Sequence, residues 1–253
     1  MTGTFDAEHT ARLLLDARRT MKPIATTAFP APPRSHADAF AVQRAVMAEL
    51  GKVGAFKTFW PGAGAAPVFS PIPMTGVRRS PARFTGAELN VIAVELEIAF
   101  LVEKALPDVN DPDFAKKARD CVVPLPAIEV VDTRLADHAT ADPLWKLTDN
   151  QLNAGLVVGE PIANWHGLEL EHVTVSFIAG DKTLASGAGR VPGGNAFDIF
   201  CEFAKAVGDH CGGVKVGHYV TTGSTVGLIF IEKGRKVTGE IGGLGRVEVD
   251  IGA

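Results

Sequence analysis

Ten residues, AVELEIAFLV at positions 93 to 102, constrain the fold of this chain more than any other stretch. Aliphatic and β-branched residues dominate it, which predicts a β-strand. Because side chains alternate between the two faces of a strand, Glu95 and Glu97 share one face, and the other face is wholly apolar (Val94, Leu96, Ile98, Phe100 and Val102). Two neighbouring carboxylates in a buried strand repel each other and need a proton or a shared cation. The strand therefore indicates either a divalent-metal site or an edge strand whose acidic face meets water.

A third acid, Glu129, lies inside a second apolar run, VVPLPAIEVVDTRL at positions 122 to 135. Three carboxylates carried by two buried strands favour the metal interpretation, because together they can bind one Mg²⁺ or Mn²⁺ and leave positions for water and substrate oxygens. No histidine or cysteine stands nearby at a spacing typical of zinc sites. The sequence therefore predicts Glu95, Glu97 and Glu129 as ligands of a hard divalent cation.

The composition bounds the possible classes of protein. The chain has 253 residues, of which 46% are hydrophobic and 21% charged, and this excludes a disordered chain. The net charge of −4 argues against a nucleic-acid partner or an anionic membrane surface. The first 20 residues carry acids and no long apolar run, so we expect neither a signal peptide nor a membrane span. Three cysteines without a CxxC pair fit a reduced cytoplasm, and we expect a cytoplasmic protein.

The order of the predicted elements indicates an α+β fold, with helices first and then many strands with one late helix. Helices are predicted over residues 7–20, from Ser35 as N-cap to Gly51, and after Asn195 as N-cap. The stretch GAGRVPGGN at 187–195 is predicted to be a loop. We expect an N-terminal helical region with the first strand at 1–75 and a β-rich body at 76–253, packed as one structural unit.

Two further side chains carry alternatives that the residues alone leave open. Lys57 lies in a predicted strand at 52–60 between aromatic neighbours, so it either extends to solvent or points into a polar pocket. His36 lies in the first turn of the second helix, where it is either a solvated histidine or a water-activating base on a mobile lid.

Several motifs in order resemble the fumarylacetoacetate hydrolase superfamily, and within it the branch of 2-keto-4-pentenoate hydratases and 4-oxalocrotonate decarboxylases. The resemblance covers nearly the whole chain. It rests on the Glu95-x-Glu97 pair and on six short stretches: DAFAVQ at 38–43, GAFKT at 54–58, PAIEVVDTR at 126–134, DNQLNAGLVVG at 149–159, VTTGSTVG at 220–227 and GLGRVEVDI at 243–251. It implies a β-rich rolled mixed sheet with peripheral helices, like the C-terminal domain of that superfamily, in a homo-oligomer.

The resemblance also implies a function and a set of site residues. Glu95, Glu97 and Glu129 would bind Mg²⁺ or Mn²⁺, and the metal would chelate the carboxylate and the 2-oxo oxygen of a small 2-oxo acid. Lys57 and His36 would be catalytic. The pocket would be lined by residues of two motifs (Asp149, Asn150, Thr221, Thr222, Gly223 and Ser224). The implied reaction is hydration of a 2-hydroxy-2,4-dienoate to a 4-hydroxy-2-oxo acid in aromatic-compound catabolism.

Departures from the family pattern keep other reactions open. The segment FSPIPMTGV at 69–77 lacks the acid that hydratases carry after the lysine strand, and Ala39 stands where a hydrolase lid would place a glutamate after His36. Decarboxylation of a 2-oxo acid needs the same metal and lysine but no water-activating acid. The alternatives are therefore a 4-oxalocrotonate-type decarboxylase, an acylpyruvate hydrolase, and a non-catalytic, metal-stabilised binding protein.

Overall fold

The computed structural model describes residues 4–253 and has the expected α+β architecture, with two β-sheets and peripheral helices. The α-helices of that range are α1 (Ala7–Thr20), α2 (His36–Leu50), α3 (Phe114–Ala118), α4 (Pro143–Thr148) and α5 (Ala196–Val207). The strands are β1 (Val53–Phe59), β2 (Val68–Pro73), β3 (Val77–Arg79), β4 (Ala82–Phe84), β5 (Ala93–Val102), β6 (Val122–Val131), β7 (Asn153–Val158), β8 (His172–Ala179), β9 (Lys182–Arg190), β10 (Tyr219–Ser224), β11 (Ile229–Phe230), β12 (Arg235–Ile241) and β13 (Gly245–Ile251). No helix within residues 4–253 is both long and apolar enough to cross a membrane.

The N-terminal helices begin and end where their capping residues indicate. The carboxylate of Asp6 accepts a hydrogen bond from the backbone N–H of His9 and opens α1. The hydroxyl of Ser35 accepts from the backbone N–H of Asp38, 3.2 Å away, and opens α2. Gly51 ends α2 with a φ of 96°, a backbone conformation that side chains disfavour.

The larger sheet is mixed and rolls around its own concave face. Its strand order is β2-β1-β10-β5-β6-β7-β3, with β11 paired to β5. The pairs β1–β10 and β3–β7 are parallel and the others antiparallel. Strands β2 and β7 lie far apart in this order but contact each other, so the sheet curls until its ends approach. Strands β1 and β2 belong to the same sheet as the strands after residue 76. The expected boundary at residue 75 between an N-terminal helical region and a β-rich body stays a prediction.

The smaller sheet, β4-β13-β12-β8-β9, packs on the convex face of the larger one. The apolar side chains of β5 (Val94, Leu96, Ile98 and Phe100) are completely buried and belong to the main core. The approach is so close at Gly239 that a Cβ there would lie 2.5 Å from a methyl carbon of Leu96. The expected alternation of β5 is thus confirmed, and its acidic face is left to the concave side.

The prediction of a loop over 187–195 is wrong for its first four residues. Gly187 to Arg190 belong to β9 and pair with β8, where Val173 opposes Gly189. Because glycine is depleted in strands, the two glycines of this segment did not indicate a strand in the sequence. At Gly189 a Cβ would lie 2.8 Å from a methyl carbon of Val175, so the close approach of the two strands requires glycine. Asn195 caps α5 as expected, accepting from the backbone N–H of Phe197.

Candidate active site

Three carboxylates meet on the concave face of the rolled sheet because of the pairing of β5 with β6. Glu95 lies directly opposite Glu129 in this antiparallel ladder, and Glu97 follows two residues along β5 on the same face. Each of the three offers an oxygen within 4.8 Å of the others. The remaining space behind them on this face is filled by small and aliphatic side chains (Ala55, Ile72, Ala99, Leu125, Ala127, Leu156 and Val158). The clustering that the strand pattern indicated is therefore present.

Lys57 points at this cluster and not to solvent. Its Nζ lies 2.9 Å from an oxygen of Glu95 and 2.9 Å from an oxygen of Glu129. Burial opposes the ammonium charge, but the attraction of Glu129, Glu95 and Glu97 is stronger in sum and raises the pKa of Lys57. The side chain is therefore a fixed cation, shared by the carboxylates of β5 and β6.

Glu97 and Glu129 are buried acids whose charge is incompletely satisfied. Glu97 accepts a hydrogen bond of 2.7 Å from the backbone N–H of Gly223, and Glu129 accepts one of 3.0 Å from the side-chain amide of Asn153. The second oxygen of Glu129 is buried with no hydrogen-bond partner. Burial, together with repulsion between the acids, raises the pKa of both carboxyl groups. Such groups cost free energy unless a further cation or proton joins them.

The donor set fits a hard divalent cation. Three carboxylates with an orphaned, buried oxygen supply the oxygen ligands that Mg²⁺ and Mn²⁺ prefer. No histidine or cysteine belongs to this group within the described residues 4–253, so the set does not fit zinc. Glu95, Glu97 and Glu129 would hold the ion.

Strand β10 supplies the floor beside Glu97. Its ladder with β5 is interrupted between Thr221 and Ser224, and Gly223 has a φ of 101° there. This conformation turns the Gly223 N–H toward Glu97, and it needs a residue without Cβ. Gly223 and Ser224 line the cavity, while the hydroxyl of Thr222 donates to the carbonyl of Ile98 in the body of the sheet.

A cavity of about 470 Å³ opens onto the acidic cluster. This volume suits a small organic acid. Lys57, Glu95, Glu97, Gly223 and Ser224 form one part of its lining. The rest comes from other elements of the fold (Thr58, Phe59, Val68, Pro143, Lys146, Leu147, Gln151, Leu152, Pro192 and Gly227).

Asp149 and Asn150, expected in the pocket, lie outside the lining of this cavity. Asp149 forms a buried ion pair with Arg134, 2.5 Å from carboxylate oxygen to Nε, and also accepts from the hydroxyl of Thr133. Asn150 donates its side-chain amide to the carbonyl of Pro71. Both side chains are held by these contacts within the scaffold, and the substrate-binding role predicted for them stays a prediction.

His36 is exposed at the first position of α2, and its ring centroid lies 6.2 Å from that of Phe40. It is not part of the cavity lining. The catalytic role suggested for it stays a prediction that would need the start of α2 to move.

Lys146 and Gln151 were missed by the sequence analysis, although both line the cavity. Lys146 lies in α4, a helix of six residues that is too short to give a clear periodic signal. Gln151 lies in the motif DNQLN, in which the sequence pattern emphasised the two residues before it.

No family model matches the chain. Solved structures match it strongly. A 4-oxalocrotonate decarboxylase from Pseudomonas putida G7, complexed with magnesium and adipate, aligns with a TM-score of 0.81 at 17% identity over 97% of each chain. The chain has the fold of the fumarylacetoacetate hydrolase superfamily.

Two other structures with this fold match a smaller part of the chain. A fumarylpyruvate hydrolase from Pseudomonas aeruginosa, in complex with Mn²⁺ and pyruvate, has a TM-score of 0.56 at 15% identity over 78% of this chain and 88% of its own. A fumarylacetoacetate hydrolase family protein from Yersinia pestis CO92 has a TM-score of 0.57 at 14% identity over 79% and 93%. These matches confirm the fold that the resemblance implied, at identities that establish the fold alone.

Proposed function

We propose that the chain is a divalent-metal-dependent enzyme that acts on a small 2-oxo acid. The observation that carries the proposal is the group of three carboxylates and one lysine ammonium at the base of an open cavity. Two proteins of the same fold are complexed with Mg²⁺ or Mn²⁺ and with a small organic acid, adipate or pyruvate.

The open cavity favours an enzyme over a metal-stabilised scaffold. A scaffold would close the face of its metal with side chains, whereas here Glu95, Glu97 and Lys57 border a space of about 470 Å³. When bound, a divalent cation would act as a Lewis acid on the 2-oxo group. The chain's own contribution is a preorganised site in which Lys57 remains charged.

Lys57 is suited to stabilise negative charge that develops on the 2-oxo oxygen. It is anchored between two strands, and its ammonium group points at the base of the cavity. A fixed donor of this kind costs no reorganisation when the enolate forms. Ser224 borders the same part of the cavity, where its hydroxyl donates to the carbonyl of Gly227 and can still accept from a substrate.

The lining favours decarboxylation among the reactions considered. Within residues 4–253, the acids that line the cavity belong to the proposed metal cluster, and no histidine lines it. Val68 of β2 lines the wall that follows the lysine strand, so the acid absent from 69–77 is not replaced there. Hydration and acylpyruvate hydrolysis both need an activated water, whereas decarboxylation does not.

In a decarboxylation, the bond breaks between the terminal carboxylate and the saturated carbon beside the double bond of the 2-oxo acid, and CO₂ leaves. The electron pair of that bond moves along the conjugated chain to the 2-oxo oxygen, where Lys57 stabilises the enolate. Protonation of the enolate then gives the 2-hydroxydienoate. Hydration of such a dienoate is the second candidate, because it uses the same charge stabilisation and was the reaction implied by the sequence motifs.

The test is a panel of 2-hydroxydienoates, acylpyruvates and oxalocrotonate assayed with Mg²⁺ and with EDTA. Released CO₂ and the product are identified for each. We expect metal-dependent CO₂ release from oxalocrotonate, lost in Lys57→Met and kept in Lys116→Met, which changes an exposed lysine on α3. Turnover of dienoates without CO₂ release would instead establish hydration, and no metal-dependent turnover on any member would refute the proposal.

A further inference from the structure

One segment, residues 143–152, forms a wall of the cavity and brings a second cation to it. Pro143, Lys146 and Leu147 share one face of α4, at the three- and four-residue spacing of a helix, and Gln151 and Leu152 follow in the next turn. All five line the cavity. The wall therefore combines apolar surface with one ammonium and one amide.

The ammonium of Lys146 forms no ion pair within residues 4–253, unlike that of Lys57. Its side chain is half-buried. A lysine in the last turn of a helix can interact with the carbonyls at the helix end, and that role would need no ligand. Lys146 also lines the cavity that holds the proposed metal cluster, so its ammonium can instead pair with an anionic ligand in that cavity.

The backbone beside Lys146 is held in an unusual conformation that directs Gln151 to the cavity. Asn150, Gln151 and Leu152 have positive φ values of 51°, 51° and 60° in succession. For residues with a side chain this left-handed conformation is unfavourable and persists only where surrounding contacts impose it. Here the contacts are the bond from Asn150 to the carbonyl of Pro71 and that from the N–H of Asp132 to the carbonyl of Leu152.

The amide of Gln151 is incompletely bonded. Its side-chain oxygen is buried without a hydrogen-bond partner. Buried polar groups in proteins are rarely left in this state. The NH₂ group at the other end of the amide carries two donors, which suit an anion in the cavity that Gln151 lines.

We propose that Lys146, assisted by Gln151, binds a second carboxylate at the far end of the substrate, so that the enzyme selects dicarboxylic 2-oxo acids over monocarboxylic ones. This inference rests on the proposed function, which places the 2-oxo end at the acidic cluster. The lining also contains apolar side chains, such as Phe59 and Val68, which suit the hydrocarbon part of such an acid.

The role of Lys146 leaves a kinetic signature in a decarboxylation. If the carboxylate bound by Lys146 is the one that departs, the ion pair stabilises the substrate more than the transition state, in which this charge is moving away. Loss of Lys146 then raises KM for the dicarboxylate without lowering kcat. A lysine that only stabilises the end of α4 would change the melting temperature and leave KM unchanged.

The binding test uses adipate and hexanoate, which have the same chain length, in the presence of Mg²⁺ and followed by calorimetry. We expect the wild-type chain to bind adipate about tenfold more tightly, the contribution of one charge-assisted contact. Lys146→Met should reduce this ratio to below about threefold, while Lys146→Arg and the control Lys116→Met should keep it. KM for a dicarboxylic 2-oxo acid should rise in Lys146→Met by about the same factor.

An adipate-to-hexanoate ratio in Lys146→Met equal to that of the wild type would overturn the inference, as would a wild type that does not discriminate between the two acids. In both cases Mg²⁺-dependent turnover of 2-oxo acids would continue, and the proposed function would stand. Absence of metal-dependent turnover on every 2-oxo acid would instead remove the proposed function and this inference with it.

Discussion

Replacement of Lys57 by methionine removes the cation that the buried carboxylates share while nearly preserving the volume of the side chain. The ammonium lies 2.9 Å from oxygens of both Glu95 and Glu129. Removal of one partner from a buried ion pair costs about 3–5 kcal/mol. Because the pKa values of Glu97 and Glu129 are raised, proton uptake limits the loss, and we expect about 3 kcal/mol.

For a chain of this size 1 kcal/mol corresponds to about 2–4 °C, so the melting temperature of Lys57→Met in EDTA should fall by about 6–12 °C. Saturating Mg²⁺ should restore a large part of this lost stability, since a ligand at a concentration of 100 times its Kd stabilises the folded state by about 2.7 kcal/mol. With Mg²⁺ present, kcat/KM should still fall by about two to three powers of ten, because the donor to the enolate is missing.

Scanning fluorimetry in EDTA and in Mg²⁺, with Lys116→Met as the control, measures the first effect, and steady-state kinetics measures the second. A melting temperature in EDTA within about 2 °C of the wild type would show that the lysine does not stabilise the cluster. Turnover within about threefold of the wild type would refute its catalytic role.

Three further changes test separate parts of the structure. Glu129→Gln should weaken Mg²⁺ binding in calorimetry by about tenfold or more, and unchanged affinity would contradict the metal assignment. Asp149→Asn should cost about 3–5 kcal/mol in urea unfolding, because it leaves Arg134 buried without its partner; a loss below about 1 kcal/mol would show that the pair is not structural. Burial lowers the pKa of His210 from 6.5 to about 4. Between these two pKa values the unfolded chain therefore binds more protons than the folded one. As pH falls from 6.5 to about 4, the free energy of unfolding of the wild type should decrease by about 1–2 kcal/mol, after discounting for solvent screening. His210→Gln, which keeps a donor for Gln43, should remove that part of the pH dependence.

The acidic face of β5 could be predicted from the sequence because it depends on local alternation, whereas the rolled sheet was implied by the family resemblance. In β5 each residue's face follows from its parity, and the apolar side is buried as expected. Glu129 stands opposite Glu95 because two long apolar runs pair in the register that buries both of them. The contact of Lys57 with the acidic cluster could not be predicted from alternation. Strand β10, which comes from the end of the chain, lies between β1 and β5, and a single sequence does not show this strand order.

Residues whose position depends on irregular backbone were not predictable in the same way. The motif DNQLN contains three polar side chains before a strand, and periodicity does not show which of them faces a cavity. The left-handed turn at 150–152 determines which side chain faces the cavity, because it buries Asn150 and brings Gln151 to the lining. Asp149 was expected to contact substrate, but Arg134, 15 residues earlier in the chain, takes up its carboxylate. Such pairings between side chains from separate loops have no signal in a single sequence.

The charges of the site explain why one lysine can be shared by three acids and still be available to a substrate. The carboxylates and the ammonium of Lys57 leave two negative charges, which one divalent cation would neutralise. Without that cation, Lys57 stays bound to Glu95 and Glu129. Once neutralised, the cluster no longer repels an anionic acid, and the ammonium is released from part of its attraction to the carboxylates. Binding of the metal and of the acid should therefore be cooperative, because each anionic substrate enters a site whose charge the cation has first removed.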